Sequence, residues 1–395
     1  MSESMKERSR AHLIANALSG SWRSSIAPLQ ISDAELTEVT ELLIQGGAGA
    51  LVWRRICDST LATSEAAGQL RQAYRLHRLE AVVHLRKIKQ ILERMRAAGI
   101  EPVLVKGWSV ARLYAEPGLR HFIDVDLCVA RRDYARAQQL LAGLGDEGLY
   151  VDLHEGLDHL DTIAWDDFFA RTQLLRVDET EIRVPCAEDH LRILCIHWLR
   201  HGAWKPAGLC DIAALVESRS ADFDWQRCLG VDPVRAGWVA CTISLAQELL
   251  GANVDAKLGA GSADILSALS AQRELPCWLV PAVLRQWSRS LSPNNRYEAL
   301  PSLLSNITNW RAFIGEAYSR LDQPIRATIA LHGRFNNYPR WPYQLGELLL
   351  HSPEVPKQLA SLLYEKLKEV RRSLSSPRTS DLSLALSAKT WQQKH

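Results

Sequence analysis

The stretch PVLVKGWSVARLYAEPGLRHFIDVDLCV, from Pro102 to Val129, restricts the fold more than any other part of this chain. Two short apolar runs flank a Lys-Gly break, and the second run contains Asp124 and Asp126 one residue apart. Short apolar runs bounded by turn signals read as strands, and alternate side chains of a strand share a face. That parity sends Ile123, Val125, Leu127 and Val129 into a core and turns Asp124 and Asp126 together the other way. Two carboxylates so placed repel each other unless a cation lies against them. A hard divalent ion such as Mg²⁺ takes one or two carboxylates plus phosphate oxygens. If the strand reaches back to Arg120, the same parity sets a phosphate-seeking guanidinium beside the pair.

Two neighbouring motifs extend this pattern. Upstream, VLVKGWS has the form strand, Gly107, x, Ser109, helix; a glycine there lets the backbone approach a phosphate, and a helix start offers free N–H groups. Downstream, YVDLHEG places Val151 and Leu153 on one face of a strand and Asp152 and His154 on the other. A third carboxylate on a neighbouring strand completes the requirement of two-metal phosphoryl chemistry. Further on, His190, His197 and His201 form one stripe of a helix. A metal cluster is one reading of that stripe, and a polar edge closing the active-site cleft is the simpler one. Asp211 reads equally as an acceptor base or a structural acid.

The elements around these motifs suggest the architecture. Residues 1–98 read as helical. A helix beginning after Ser32 carries the capping-box signature and stops at Gly46–Gly47. A longer helix covers about Ser64 to Ala98, with Leu70, Tyr74, His77, Ala81, His84, Ile88, Ile91 and Met95 on one side. Beside them Arg71, Arg75, Arg78, Arg86, Lys89 and Arg96 form a basic stripe, read as a solvated face. Residues 99–185 alternate strands with helices and end in a hairpin turning at Asp178–Glu179; residues 186–372 read as helical, and 373–395 as a Ser-rich flexible tail. The expected fold is therefore α+β, with a small mixed β-sheet core flanked by N-terminal and C-terminal all-helical regions, the latter closing the cleft.

Composition removes several function classes. Across 395 residues the hydrophobic content of 47%, charged content of 23% and net charge of +2 describe a globular chain without a polybasic signature. No apolar run approaches the roughly 18–20 residues of a membrane span, and the first residues lack the apolar core of a secretion signal. A cytoplasmic location with no membrane partner is expected. The 8 cysteines show no CxxC pair and read as reduced core thiols. The 13 tryptophans read as helix-packing anchors or cleft walls.

The combination of LVKGWSVARLYAEPGLRHFIDVDLCV, VDLHEGL and VPCAEDHLRILCIHWLRHGAWKPAGLCDIAAL resembles a bacterial nucleotidyltransferase family of the DNA polymerase β-like superfamily. Members of that family occur beside lasso-peptide, natural-product and exopolysaccharide genes. The resemblance implies transfer of an NMP from an NTP, with ATP favoured, to a hydroxyl or phosphate of a small-molecule, sugar or peptide acceptor. It implies two Mg²⁺ ions held by Asp124, Asp126 and Asp152. Lys106, Gly107, Ser109, Arg120, His154, His197 and His201 would contact the nucleotide. Trp108 after the glycine, and sixteen residues between Gly107 and Asp124, depart from the usual superfamily pattern. A toxin-like relative acting on protein or tRNA, or an inactive scaffold of the same fold, are the competing expectations. A nucleic-acid partner is not expected, and the sequence leaves the oligomeric state open.

Overall fold

A computed structural model describes residues 3–142, 150–157, 163–200, 203, 205–254 and, beyond these, 280, 283–284 and 287–288. The helices before the sheet are α1 (Glu3–Leu18), α2 (Asp33–Gln45), α3 (Gly49–Ile56) and α4 (Glu65–Ala97). Then come β1 (Val103–Leu104), α5 (Trp108–Ala111), β2 (Asp124–Val129), α6 (Tyr134–Ala142), β3 (Tyr150–Glu155) and α7 (Trp165–Arg171). β4 (Gln173–Val177) and β5 (Thr180–Val184) precede α8 (Ala187–Arg200), α9 (Pro206–Ser218), α10 (Trp225–Leu229) and α11 (Pro233–Leu250). The fold is helix-rich α+β with a small mixed sheet.

Local chemistry sets several boundaries. Ser32 caps α2 through its hydroxyl, and Glu35 returns a bond to the Ser32 backbone, the reciprocal capping box. Ser64 caps α4, whose buried side includes Leu70, His77, His84, Ile88, Ile91 and Met95. The spacing predicted that side correctly. Of the adjacent basic stripe, Lys89 pairs with Asp178 and Arg96 with Glu101, while Arg71, Arg75, Arg78 and Arg86 are exposed.

The three-stranded sheet has the order β1-β2-β3. β1 runs antiparallel to β2, with Val103 opposite Cys128. β3 runs parallel to β2, as a strand returning through α6 must, with Asp124↔Tyr150, Asp126↔Asp152 and Cys128↔His154 in register. β4 and β5 form the expected hairpin, turning at Asp178–Glu179 with Asp178 at positive φ.

Apolar side chains cover both faces of β2. Val125, Leu127 and Val129 pack with Ile88, Leu92 and Met95 of α4. On the opposite face Cys128 joins Val105, Phe168 and Ile193. A larger cluster joins the N-terminal helices to α8, α9 and α11, with Leu36, Leu51 and Leu70 beside Leu191, Ile212 and Val239. Trp22, Trp198, Trp225, Trp238 and Trp287 are buried in it, as packing anchors. Cys128, Cys186, Cys195, Cys210, Cys228 and Cys241 are buried free thiols and Cys57 is half-buried and free; Cys277 lies outside the described residues.

Two expectations need correction. Ile123 does not point into the core: it precedes β2 and is 61% exposed. β2 begins at Asp124, so Arg120 lies in the preceding loop and not on the strand. Among the described residues no helix is long and apolar enough to cross a membrane.

Candidate active site

The acids gather where the sheet opens. Strand parity and register put Asp126, Asp152 and His154 on one face, and one ligand atom from each lies within 4.8 Å of the others. Val151 and Leu153, of opposite parity, pack with the α4 side. Asp126 is not on a solvent face: only 2% of it is exposed, because Cys128 beyond it is covered by the Phe168–Ile193 cluster. Burial relaxes toward the start of the strand. Asp124 is half-buried, and its register partner Tyr150 is 71% exposed. Asp124 shares parity with Asp126 but lies outside the converging group.

A buried carboxylate needs compensation, and Asp126 receives it twice on one oxygen. Lys106 Nζ lies 2.6 Å from Oδ1, and His154 Nε2 lies 3.0 Å from the same atom. Burial pushes the Asp126 carboxyl up, but the His154 hydrogen bond and the Lys106 charge outweigh it and hold the group below its ordinary value. Asp126 therefore stays ionised, the form in which a carboxylate ligates metal. His154 Nε2 also lies 3.3 Å from Asp152 Oδ2, and the Asp152 side chain is 43% exposed. Two adjacent carboxylates, one held toward its ionised form and one open to solvent, fit a divalent cation; the imidazole of His154 adds a nitrogen donor.

The Lys-Gly turn is built around β2. Gly107 sits at φ +63°, and a Cβ there would meet the Asp124 carbonyl oxygen at 3.1 Å and the Phe122 ring at 3.4 Å. Only glycine allows this approach of loop to strand. Trp108 turns into the α4–sheet core. Ser109 is fully buried; its hydroxyl donates to the Lys106 carbonyl at 3.2 Å and lies 3.3 Å from His190 Nε2. The structure thus gives Ser109 a role in the shape of the loop. With four residues, α5 offers little helix dipole.

The helical side supplies the remaining groups. His197 lies 3.2 Å through Nδ1 from Lys106 Nζ, so α8 reaches the Asp126 cation. His190 is 1% exposed and faces Ser109. Burial, helped by the charge of Arg112, lowers it to about 3. His201 lies outside the described residues. Asp211 of α9 accepts from Arg120 Nε at 3.0 Å and Nη2 at 2.9 Å on Oδ2, and from the Tyr114 hydroxyl at 2.7 Å on Oδ1. This buried acid holds Arg120, so the structural reading of Asp211 accounts for its contacts. Lys205, which opens α9, lies within electrostatic reach of Arg120, Lys106, Asp124 and Asp211. Sequence reasoning missed it; a lone lysine beside a proline carries no signal until α9 is folded against the Arg120 loop.

A family model described as "Uncharacterised nucleotidyltransferase" matches residues 32–232, just over half of the 395. No curated protein and no solved structure gave a match.

Proposed function

The chain belongs to this uncharacterised nucleotidyltransferase family, and from that premise we propose that it transfers an NMP from an NTP, ATP foremost, to a hydroxyl or phosphate of a small-molecule, sugar or peptide acceptor. One observation carries the reading. Asp126 and Asp152 are register partners on parallel strands, and His154 closes the group they form.

Asp124, Asp126 and Asp152 would hold two Mg²⁺ ions, which when bound neutralise the reacting phosphates and activate the acceptor oxygen. In the transfer, the acceptor oxygen bonds to the α-phosphorus as the α–β bridging bond breaks, and pyrophosphate leaves with the electron pair. Asp152, the more exposed carboxylate of the group, would accept the acceptor's proton. Arg120, fixed from behind by Asp211, which in turn accepts from Tyr114, would present a preorganised guanidinium to the triphosphate. Lys106 marks where the Asp126 carboxylate demands positive charge, and with Lys205 it would screen the leaving phosphates. Gly107 keeps the loop backbone low against Asp124, leaving room for phosphate oxygens. His154 orients Asp126, and His197 steadies Lys106.

The Lys106–Asp126 contact also favours a second reading, an inactive scaffold in which the ammonium permanently replaces metal. The toxin-like alternative draws on the exposed Arg71, Arg75, Arg78 and Arg86, although Lys89 and Arg96 of that stripe are engaged elsewhere. One experiment separates the three. Labelled ATP, GTP, CTP and UTP are incubated with the protein, Mg²⁺ and cell extract, followed by pyrophosphate detection and fractionation of the label. Label in small molecules supports the proposal, and label in protein or RNA supports the toxin-like reading. Turnover equal to that of Asp126→Asn with every NTP leaves the scaffold.

A further inference from the structure

A second group of potential ligands lies on the other side of the loop that leads into β2. His77 and Glu80 of α4 and His121 of the loop bring one ligand atom each within 4.8 Å of one another. His77 and His121 stack with ring centroids 4.1 Å apart and planes 11° off parallel, so one ring must turn about its Cβ–Cγ bond before both in-plane lone pairs can meet one ion. His121 Nε2 lies 3.1 Å from Glu80 Oε2 but is not aligned for a hydrogen bond.

The polar accounting around this group does not close. Buried side-chain atoms without hydrogen-bond partners, among the described residues, are Arg10 Nε, Ser21 Oγ, His77 Nδ1, Glu80 Oε2, His84 Nδ1 and Ser244 Oγ. His77, Glu80 and His84 follow one another along one α4 face, and half of these orphaned atoms belong to them. His77 is 7% exposed and His84 is 8% exposed, so bulk water does not satisfy them. Orphaned buried polar atoms are rare in folded proteins, and an unseen ion is one of their standard explanations.

We propose that His77, Glu80 and His121 form a zinc site separate from the acidic site on β2 and β3. Two imidazoles and one carboxylate suit a borderline transition ion and not Mg²⁺, which prefers oxygen donors alone. Three protein ligands leave Zn²⁺ a fourth position for water or a substrate group. His84 lies beside the site, within reach of the charges of Glu80 and His121, and its ring tilts against Phe122 at 5.1 Å.

Such an ion has a structural task at this position. The segment 116–122 is laid along α4: Glu116 accepts from the Tyr74 hydroxyl at 2.8 Å. Gly118 packs so closely that a Cβ would lie 2.6 Å from the backbone of Arg78. His121 lies against His77 and Glu80 at this seam, and Arg120 beside it is held by Asp211. Zinc would pin to α4 the loop that carries Arg120 toward the nucleotide and delivers Asp124 to the start of β2.

The test loads the full chain, stripped with a chelator, with Zn²⁺ or Co²⁺ and reads metal content, visible absorption and melting temperature. The unmodified chain is expected to retain about one Zn²⁺, to melt higher with it, and to give the d–d bands of a four- or five-coordinate nitrogen–oxygen site with Co²⁺. Affinity should fall by about 100-fold or more in His77→Gln/His121→Gln and persist in Asp126→Asn/Asp152→Asn. The cobalt spectrum of the unmodified chain keeps the test valid if the histidine variant does not fold. Absence of retained zinc and of cobalt bands overturns the proposal. So does zinc content unchanged in the histidine variant, or lost only when Asp126 and Asp152 are replaced.

Discussion

Asp126 and Asp152 are register partners on two parallel strands, and their carboxylates share one histidine, His154. The apolar side chains behind them hold that arrangement. Val125, Leu127, Val151 and Leu153 all face the α4 side. A one-residue slip of β3 would turn Asp152 into that core.

Replacing Asp126 by Asn removes the charge that both Lys106 and His154 address. NTP turnover should fall by more than the about 100-fold typical of changes in a metal's outer shell. Lys106 is itself buried, so the variant should also lose stability, up to about 3–5 kcal/mol for a buried pair broken on one side. Urea denaturation reads the second effect independently of the first.

Asp211→Asn tests whether Arg120 acts through its anchor. The neutral amide weakens the contacts from Arg120 Nε and Nη2 but retains an acceptor for the Tyr114 hydroxyl. KM for the NTP should rise about tenfold, the size of one charge-assisted hydrogen bond of about 1.5 kcal/mol, with a smaller change in kcat. A fall in kcat at constant KM would assign Asp211 to the chemistry itself.

Much of the frame was legible because it depends on local pattern. The Ser32–Glu35 box, the buried side of α4 and the hairpin at Asp178 all follow from spacing within one element. The acids were legible for the same reason: parity puts Asp126 with Asp124, and Asp152 with His154. Their environments were not. Asp126 is buried because α7 and α8 residues cover that face near Cys128, and a D-x-D pattern alone implies a solvent face. Arg120 and Asp211 are 91 positions apart, and no periodicity links them. His77 and His84 looked like ordinary members of a helical stripe, because unsatisfied ring nitrogens appear only once the facing loop is in place.

His190 gives the fold an acid sensitivity with a definite sign. Its folded value is about 3 against an ordinary 6.5, so between those values the unfolded chain binds a proton that the folded chain does not. Stability should therefore fall as pH drops from about 6.5 to about 3, by about 1.4 kcal/mol per unit from this residue. In His190→Gln that part of the slope should be missing. Denaturant melts of both chains at several pH values across the window measure the difference.

Gly107→Ala would place a methyl group against the Asp124 carbonyl in a backbone conformation reserved for glycine. The expected cost is about 1–3 kcal/mol of strain, read as a lower denaturation midpoint. Loss of nucleotide affinity should accompany it, because the loop must withdraw from β2.

Metal binding tests the central claim most directly, because it does not depend on knowing the acceptor. Mn²⁺ is titrated into the protein with a non-hydrolysable ATP analogue and followed by electron paramagnetic resonance, in parallel with Asp126→Asn/Asp152→Asn. Nucleotide-dependent Mn²⁺ binding in the parent chain, lost in the double variant, is the predicted result. Equal Mn²⁺ binding by both chains, or none by the parent, would contradict the assignment of Asp126 and Asp152 as the metal-holding pair.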